Sequence, residues 1–168
     1  YLVGQPGEGL RCMFHMMNEA RIGVGMAATM LGMAGYEASL DYARQRPQGR
    51  PIGPSGKDPA QPQVPIIEHA DVKRMLLTMR AYIEGCRAMA IVAASTCDAA
   101  HSHPDAAVRK QNQAFYEFLV PLIKGYSTEM SVEVASLGVQ VHGGMGFIEE
   151  TGAAQYLRDS RILPIYEG

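Results

Sequence analysis

Between Val72 and Cys97, apolar residues return at alternating steps of four and three: Val72, Leu76, Met79, Ile83, Cys86, Ala90, Ala93 and Cys97. A strand alternates with a period of two and cannot produce this line. A helix places all of these positions on one face. One long helix is therefore expected from near His69 to the break at His101-Ser-His-Pro-Asp105. Two further stretches carry the same rhythm. Leu10, Phe14, Met17, Arg21, Val24, Ala28 and Leu31 form the first stripe, which Tyr36, Leu40 and Ala43 carry on towards Arg46. Phe115, Leu119, Leu122, Tyr126, Met130, Val134, Leu137 and Val141 form the last, over about 107–141. Pro121 inside it is expected to kink that helix or start a new segment.

The punctuation between stripes is equally plain. Residues 47–65 hold six of the ten prolines and show no periodicity, so they read as a loop. Residues 1–9 are too rich in Gly and Pro for a helix, and Tyr1 to Val3 read as the tail of a strand from a preceding β domain. Residues 10–168 then form the helical domain. The run His142-Gly-Gly-Met-Gly-Phe147 reads as irregular backbone. A short helix over about 151–159 and a loop or strand from Ile162 complete the chain. Three long amphipathic helices predict an all-α, up-down helical bundle. Such bundles close with four helices, so the fourth is expected beyond Gly168 or from a partner. The ends, Tyr1 and Gly168, read as cut points in something longer.

Composition narrows the class. With 47% hydrophobic and 19% charged residues the chain has the balance of a globular domain. A net charge of −2 gives no electrostatic basis for binding nucleic acid. Cys12, Cys86 and Cys97 show no C-x-x-C spacing and read as reduced thiols. No apolar run approaches the roughly 20 residues of a membrane span. The expected location is cytoplasmic.

Few residues stand out chemically. Arg21 lies on an apolar stripe, where a guanidinium needs a partner: either a bundle carboxylate or an internal site. Arg44, Arg46 and Arg50 cluster at the end of the first helix. They suit the helix dipole there, or else a phosphate. Gly143-Gly144-Met145-Gly146 is either a helix cap with a turn or a place where backbone approaches a ligand. His101-x-His103 has no third ligand nearby, so no metal site is expected. Glu167 follows the apolar run Ile162-Leu163-Pro164-Ile165-Tyr166. A carboxylate buried in such a setting is a stronger base.

These features also occur together in one order. Ala20-Arg21-Ile22 is followed by Arg46-x-x-Gly49, then Gln140-x-x-Gly143-Gly144-x-Gly146-Phe147, Leu157-Arg158-Asp159-x-Arg161 and Ile165-Tyr166-Glu167-Gly168. The series resembles the C-terminal domain of the flavin-dependent acyl-CoA dehydrogenases and covers essentially the whole chain. The opening Gly4-Gln-Pro-Gly7-Glu-Gly9-Leu10 resembles the family's exit from its middle β domain. Ile66 to Leu76, after the Pro-rich insertion, resembles the larger bacterial branch that includes the 3-methylmercaptopropionyl-CoA dehydrogenases.

The resemblance implies an oxidoreductase that converts an acyl-CoA to a 2-enoyl-CoA with FAD as cofactor. It makes Glu167 the catalytic base for the α-proton. Its backbone N–H would donate to the thioester carbonyl. Tyr166, Gly168 and Arg21 would line the substrate side. Arg46 would contact FAD phosphate, and Gln140, Gly143, Gly144 and Gly146 would approach the FAD of a neighbouring subunit. The implied assembly is a homo-dimer or homo-tetramer, with an electron-transfer flavoprotein as acceptor. Some relatives carry the base just before the first-helix Arg; here that position is Ala20. The family often has Arg-x-x-Phe-Gly where this chain has Arg46-Pro-Gln-Gly49, and Ala70 stands about where a further Gln is usual. The competing readings are a helical fragment or oligomerisation module that keeps the motifs but cannot act alone, and a family member turned to another task. On the first of these the isolated chain binds FAD weakly.

Overall fold

The computed structural model describes residues 2–167, and the expectations for Tyr1 and Gly168 lie outside it. Three long helices dominate: α1 (Gly9–Gln45), α2 (Ala70–Ser102) and α3 (Ala106–His142). They run up, down and up, so α1 and α3 are parallel and α2 is antiparallel to both. A four-residue turn, α4 (Gly144–Phe147), and the short α5 (Ala153–Ser160) follow. α5 packs back onto α3 and α1. The described residues contain no strand, so the all-α bundle expected from the stripes is the observed fold.

The α2 stripe is buried almost as its spacing predicts: Leu76, Met79, Ile83, Cys86, Ala90 and Ala93 all face the core. The other two faces differ from expectation. In α1 the buried residues begin only at Val24 and are mostly small: Gly25, Ala28, Thr29, Gly32, Gly35, Ser39 and Ala43. Leu10 is 70% exposed and Phe14 46%. In α3 the buried face is Tyr116, Leu119, Val120, Ile123, Lys124, Ser127, Thr128, Ser131 and Val134, rotated from the predicted line. Phe115, Leu122 and Tyr126 are exposed. The physical reason is close approach of α1 to α3. A Cβ built on Gly25 would lie 2.6 Å from Ile123 Cγ2, and one on Gly138 3.0 Å from Ser39 Oγ. Small residues, not large ones, let the two backbones meet.

Two local expectations are also corrected. Pro121 starts no new segment, and α3 continues through it as one helix. Residues 144–147, expected to be irregular, form a helical turn, because Gly143 takes φ +61° and redirects the chain after α3. Asp105 caps α3, its carboxylate accepting from Ala107 N–H at 2.8 Å.

The Pro-rich loop is pinched at its base. Gln48 N–H donates to Val64 O at 2.9 Å, Val64 N–H to Gly49 O at 3.2 Å and Ile66 N–H to Arg46 O at 2.9 Å. His69 Nε2 meets Gln48 O at 2.7 Å and so carries the proton. These bonds pin the backbone on which Arg46 stands. The main core cluster lies beside it: Ala43, Ile66, Met75, Leu76, Met79, Ile83, Val134 and Val141. A smaller cluster, Ala93, Leu119 and Ile123, lies towards the other end.

Candidate functional site

After α5 the chain runs through consecutive turns, Arg161 to Glu167, and folds back across α1 and α3. Two cations receive it there. Arg21 of α1 donates to the Glu167 carbonyl oxygen through Nε at 3.2 Å and Nη2 at 3.1 Å. Lys124 of α3 donates through Nζ to the Tyr166 carbonyl oxygen. Successive carbonyls are thus held by successive charges. Glu167 sits at φ +62° and has the one positive φ among the described residues that are not glycine. That region costs an ordinary residue about 1–3 kcal/mol, and it persists only where surroundings impose it.

The Glu167 Oε2 is buried and has no hydrogen-bond partner among the described residues. Buried polar atoms are nearly always paired, so an orphaned carboxylate oxygen marks a place where a proton or a ligand belongs. Arg21 is held from its other side by Phe14, whose ring centroid lies 5.8 Å from the guanidinium carbon. Lys124 Nζ lies 5.6 Å from the Tyr166 ring centroid. Arg21 is therefore partnered by a backbone carbonyl rather than by a carboxylate.

Lys124 is the residue that the stripes missed. It is 2% exposed, yet its position falls between the predicted apolar ones. A signal was present: Ser127, Thr128, Ser131, Ala135 and Gly138 form a line of small or hydroxyl residues at helical spacing, and Lys124 stands at its head. Thr128 Oγ1 returns to Lys124 O at 2.7 Å, and Ser127 and Ser131 are buried beside it.

Tyr116 lies on the same side of the bundle. Its hydroxyl is pushed up to about 12, by burial first and then by the neighbouring Cys97 and Glu19. The Cys86 thiol is also raised, by burial.

The opposite end of α1 and α3 carries a second feature. A cleft of about 490 Å³ is lined by Tyr42, Arg46, His69, His142, Gly143 and Gly144, among others. Among the three clustered arginines, Arg44 pairs with Asp41 at 3.7 Å, and Arg50 donates to Gln61 O and Pro59 O. The Arg46 guanidinium has no partner among the described residues and faces the cleft. Tyr42 and His142 stack with centroids 4.3 Å apart, and His142 Nδ1 donates to Gly138 O at 2.8 Å. A Cβ on Gly144 would meet nothing within 4 Å, so its backbone is open to a ligand.

The predicted cofactor residues therefore divide. Arg46, Gly143 and Gly144 converge on the cleft. Gln140 is exposed on the last turn of α3, outside the cleft lining. Gly146 is buried, and a Cβ there would lie 2.3 Å from Val139 O, so its smallness serves packing. The candidate base Glu167 and the substrate-side candidates Tyr166 and Arg21 come together at the other end. Arg21 and Arg46 are 25 residues apart on one helix, about 37 Å along its axis.

The family described as the acyl-CoA dehydrogenase C-terminal domain matches residues 56–168. The chain belongs to that family. It is 56% identical to 3-methylmercaptopropionyl-CoA dehydrogenase of Ruegeria pomeroyi over all 168 residues, which is 28% of that protein. It is 38% identical to butyryl-CoA dehydrogenase of Syntrophomonas wolfei over 96% of this chain and 26% of the relative. Butyryl-CoA dehydrogenase of Megasphaera elsdenii superposes with a TM-score of 0.77 at 25% identity, covering 98% of this chain and 36% of that one. The chain thus spans roughly a quarter to a third of the relatives it matches. The branch expected from residues 66–76 is the one to which the 56% relative belongs. No helix among the described residues is long and apolar enough to cross a membrane.

Proposed function

We propose that this chain is the base-bearing domain of an FAD-dependent acyl-CoA dehydrogenase. The observation that carries the reading is Glu167: a buried carboxylate oxygen without a partner, on a backbone held at positive φ by two cations. Glu167 removes the α-proton of a bound acyl thioester. Its backbone N–H, together with other donors, stabilises the charge that then develops on the thioester oxygen. Tyr166 and Arg21 border that pocket, and Gly168 follows directly in sequence. The flavin, when bound, supplies the acceptor for the β-hydride.

The cleft residues fit the phosphate part of such a cofactor. Arg46 offers an uncommitted guanidinium, and Gly144 leaves backbone uncovered. The separation along α1 exceeds what a single dinucleotide can bridge. One chain then serves two cofactors: its base works on one, and its cleft holds the phosphates of a neighbour's. A homo-dimer or homo-tetramer follows from this. Electrons leave to an electron-transfer flavoprotein. By their names, the two relatives compared above act on short acyl thioesters. A short acyl-CoA is the substrate class proposed here.

The test is the full-length enzyme carrying Glu167→Gln, assayed on a panel of acyl-CoA thioesters. The reading requires loss of turnover with flavin content intact. Turnover equal to the unsubstituted enzyme would sink it.

A further inference from the structure

A buried ammonium with no carboxylate partner among the described residues calls for a physical reason. Lys124 is 2% exposed, and no carboxylate pairs with it among the described residues. Its recorded partner is a neutral one, the Tyr166 carbonyl oxygen. A methionine would fill the same space without the desolvation penalty of a charge. Packing therefore does not explain the lysine.

The identity of the carbonyl does. The Tyr166 C=O and the Glu167 N–H belong to one peptide group. Within the described residues that N–H donates to no acceptor. Its neighbour on the other side, the Glu167 C=O, is held by Arg21. The two cations thus fix the orientation of both peptides flanking Glu167 and maintain its φ of +62°. A cation at an amide oxygen also draws electron density away from the nitrogen. The N–H at the far end becomes a stronger donor, the cooperative effect seen along hydrogen-bond chains in low dielectric.

We propose that Lys124 is a positioning residue that orients and polarises the Tyr166–Glu167 peptide, so that the Glu167 N–H acts as a charge-assisted donor to the oxygen of a bound acyl thioester. The proposal rests on the reading of Glu167 given above and deepens it. Arg21 and Lys124 take different shares. Arg21 secures the outgoing carbonyl of the base residue, while Lys124 acts on the peptide that points at substrate. The thioester oxygen carries more negative charge once the α-proton has left than before. A stronger donor at that oxygen therefore favours the transition state over bound substrate, and its loss falls on kcat more than on KM.

The experiment uses the full-length flavinylated enzyme with Lys124→Gln and Lys124→Met. Glutamine keeps a neutral donor to the Tyr166 carbonyl; methionine keeps only volume. Two quantities are read per bound flavin. One is kcat and KM on the best short acyl-CoA of the panel. The other is the carbonyl stretching frequency of bound 13C-labelled crotonyl-CoA, by infrared difference spectroscopy. Lys124→Gln is expected to lower kcat about tenfold with little change in KM, less than the loss of a whole oxyanion donor. The bound carbonyl frequency moves back towards its value in free solution, and Lys124→Met moves it further. Wild-type kcat and frequency in Lys124→Gln would overturn the proposal. So would a Lys124→Met enzyme that has lost thermal stability but keeps both, since the lysine would then be structural. The underlying reading fails differently: Glu167→Gln would retain turnover, whatever the lysine variants do.

Discussion

The two ends of the bundle are built on different principles. At the Arg46 end, the backbone is pinned by a pinched loop and the largest core cluster, and the cleft is walled by rings and bare glycine backbone. At the Glu167 end the core is thin, and the last described turn is held by charges on carbonyls. Large apolar side chains stand exposed around it, among them Phe14, Phe118, Ile162 and Ile165. One end is rigid through packing; the other holds a strained residue through electrostatics. A surface that binds phosphate needs a stable platform. A base needs an unpaired carboxylate in a fixed pose, which hydrophobic packing alone does not supply.

The sharpest way to break this contrast is at Glu167. Glu167→Gln is expected to lower kcat by about a thousandfold, the range of a lost general base, while leaving flavin content unchanged. If flavin were lost in step, the two ends would not be functionally separate. The converse variant, Arg46→Ala, is expected to weaken flavin binding by about 10–100-fold, the worth of a charged hydrogen bond. Turnover per bound flavin should stay near normal, as titration of the apoenzyme with FAD would reveal.

A third expectation uses pH. Tyr116 near the base end titrates at about 12 when folded, above its ordinary value near 10. Its native state therefore holds a proton that the unfolded chain gives up first. The contribution is fully present below pH 10 and is lost as pH rises towards 12. Urea titrations across that window should show the decline, and Tyr116→Phe should flatten it.

The smallest effect tests the helix contact that joins the two ends. Gly25→Ala drives a methyl against Ile123 and should lower stability by about 1–3 kcal/mol. Gly23, two residues earlier on the same helix, has nothing within 4 Å of a new Cβ. Gly23→Ala should raise stability by about 0.5–1 kcal/mol. Thermal melts of the pair separate close packing from helix propensity.

Much of the architecture could be read from the chain before any coordinate. The α2 stripe names its buried face because large apolar residues fill it on a four-three rhythm, and rhythm is a local property. The loop at 47–65, with its six prolines, and the break before Asp105 are equally local, since clustered Pro and Gly interrupt the helical rhythm. Glu167, Arg46 and Gly143 were marked by motif. The faces of α1 and α3 were not legible in the same way. There the contact is made by Gly25, Gly32, Gly35 and Ser39, residues that a search for hydrophobic size passes over.

The chain by itself thus determined the helices, their breaks and the chemical candidates, because propensity, proline placement and periodicity act over a few residues. Only the tertiary structure decided which arginine of three stays uncommitted, that Gly146 serves packing, and that Arg21 and Lys124 meet consecutive carbonyls from two helices. The last of these depends on residues more than 40 positions apart arriving at one point. Close approach of α1 and α3 brings them there, and no local pattern encodes that distance.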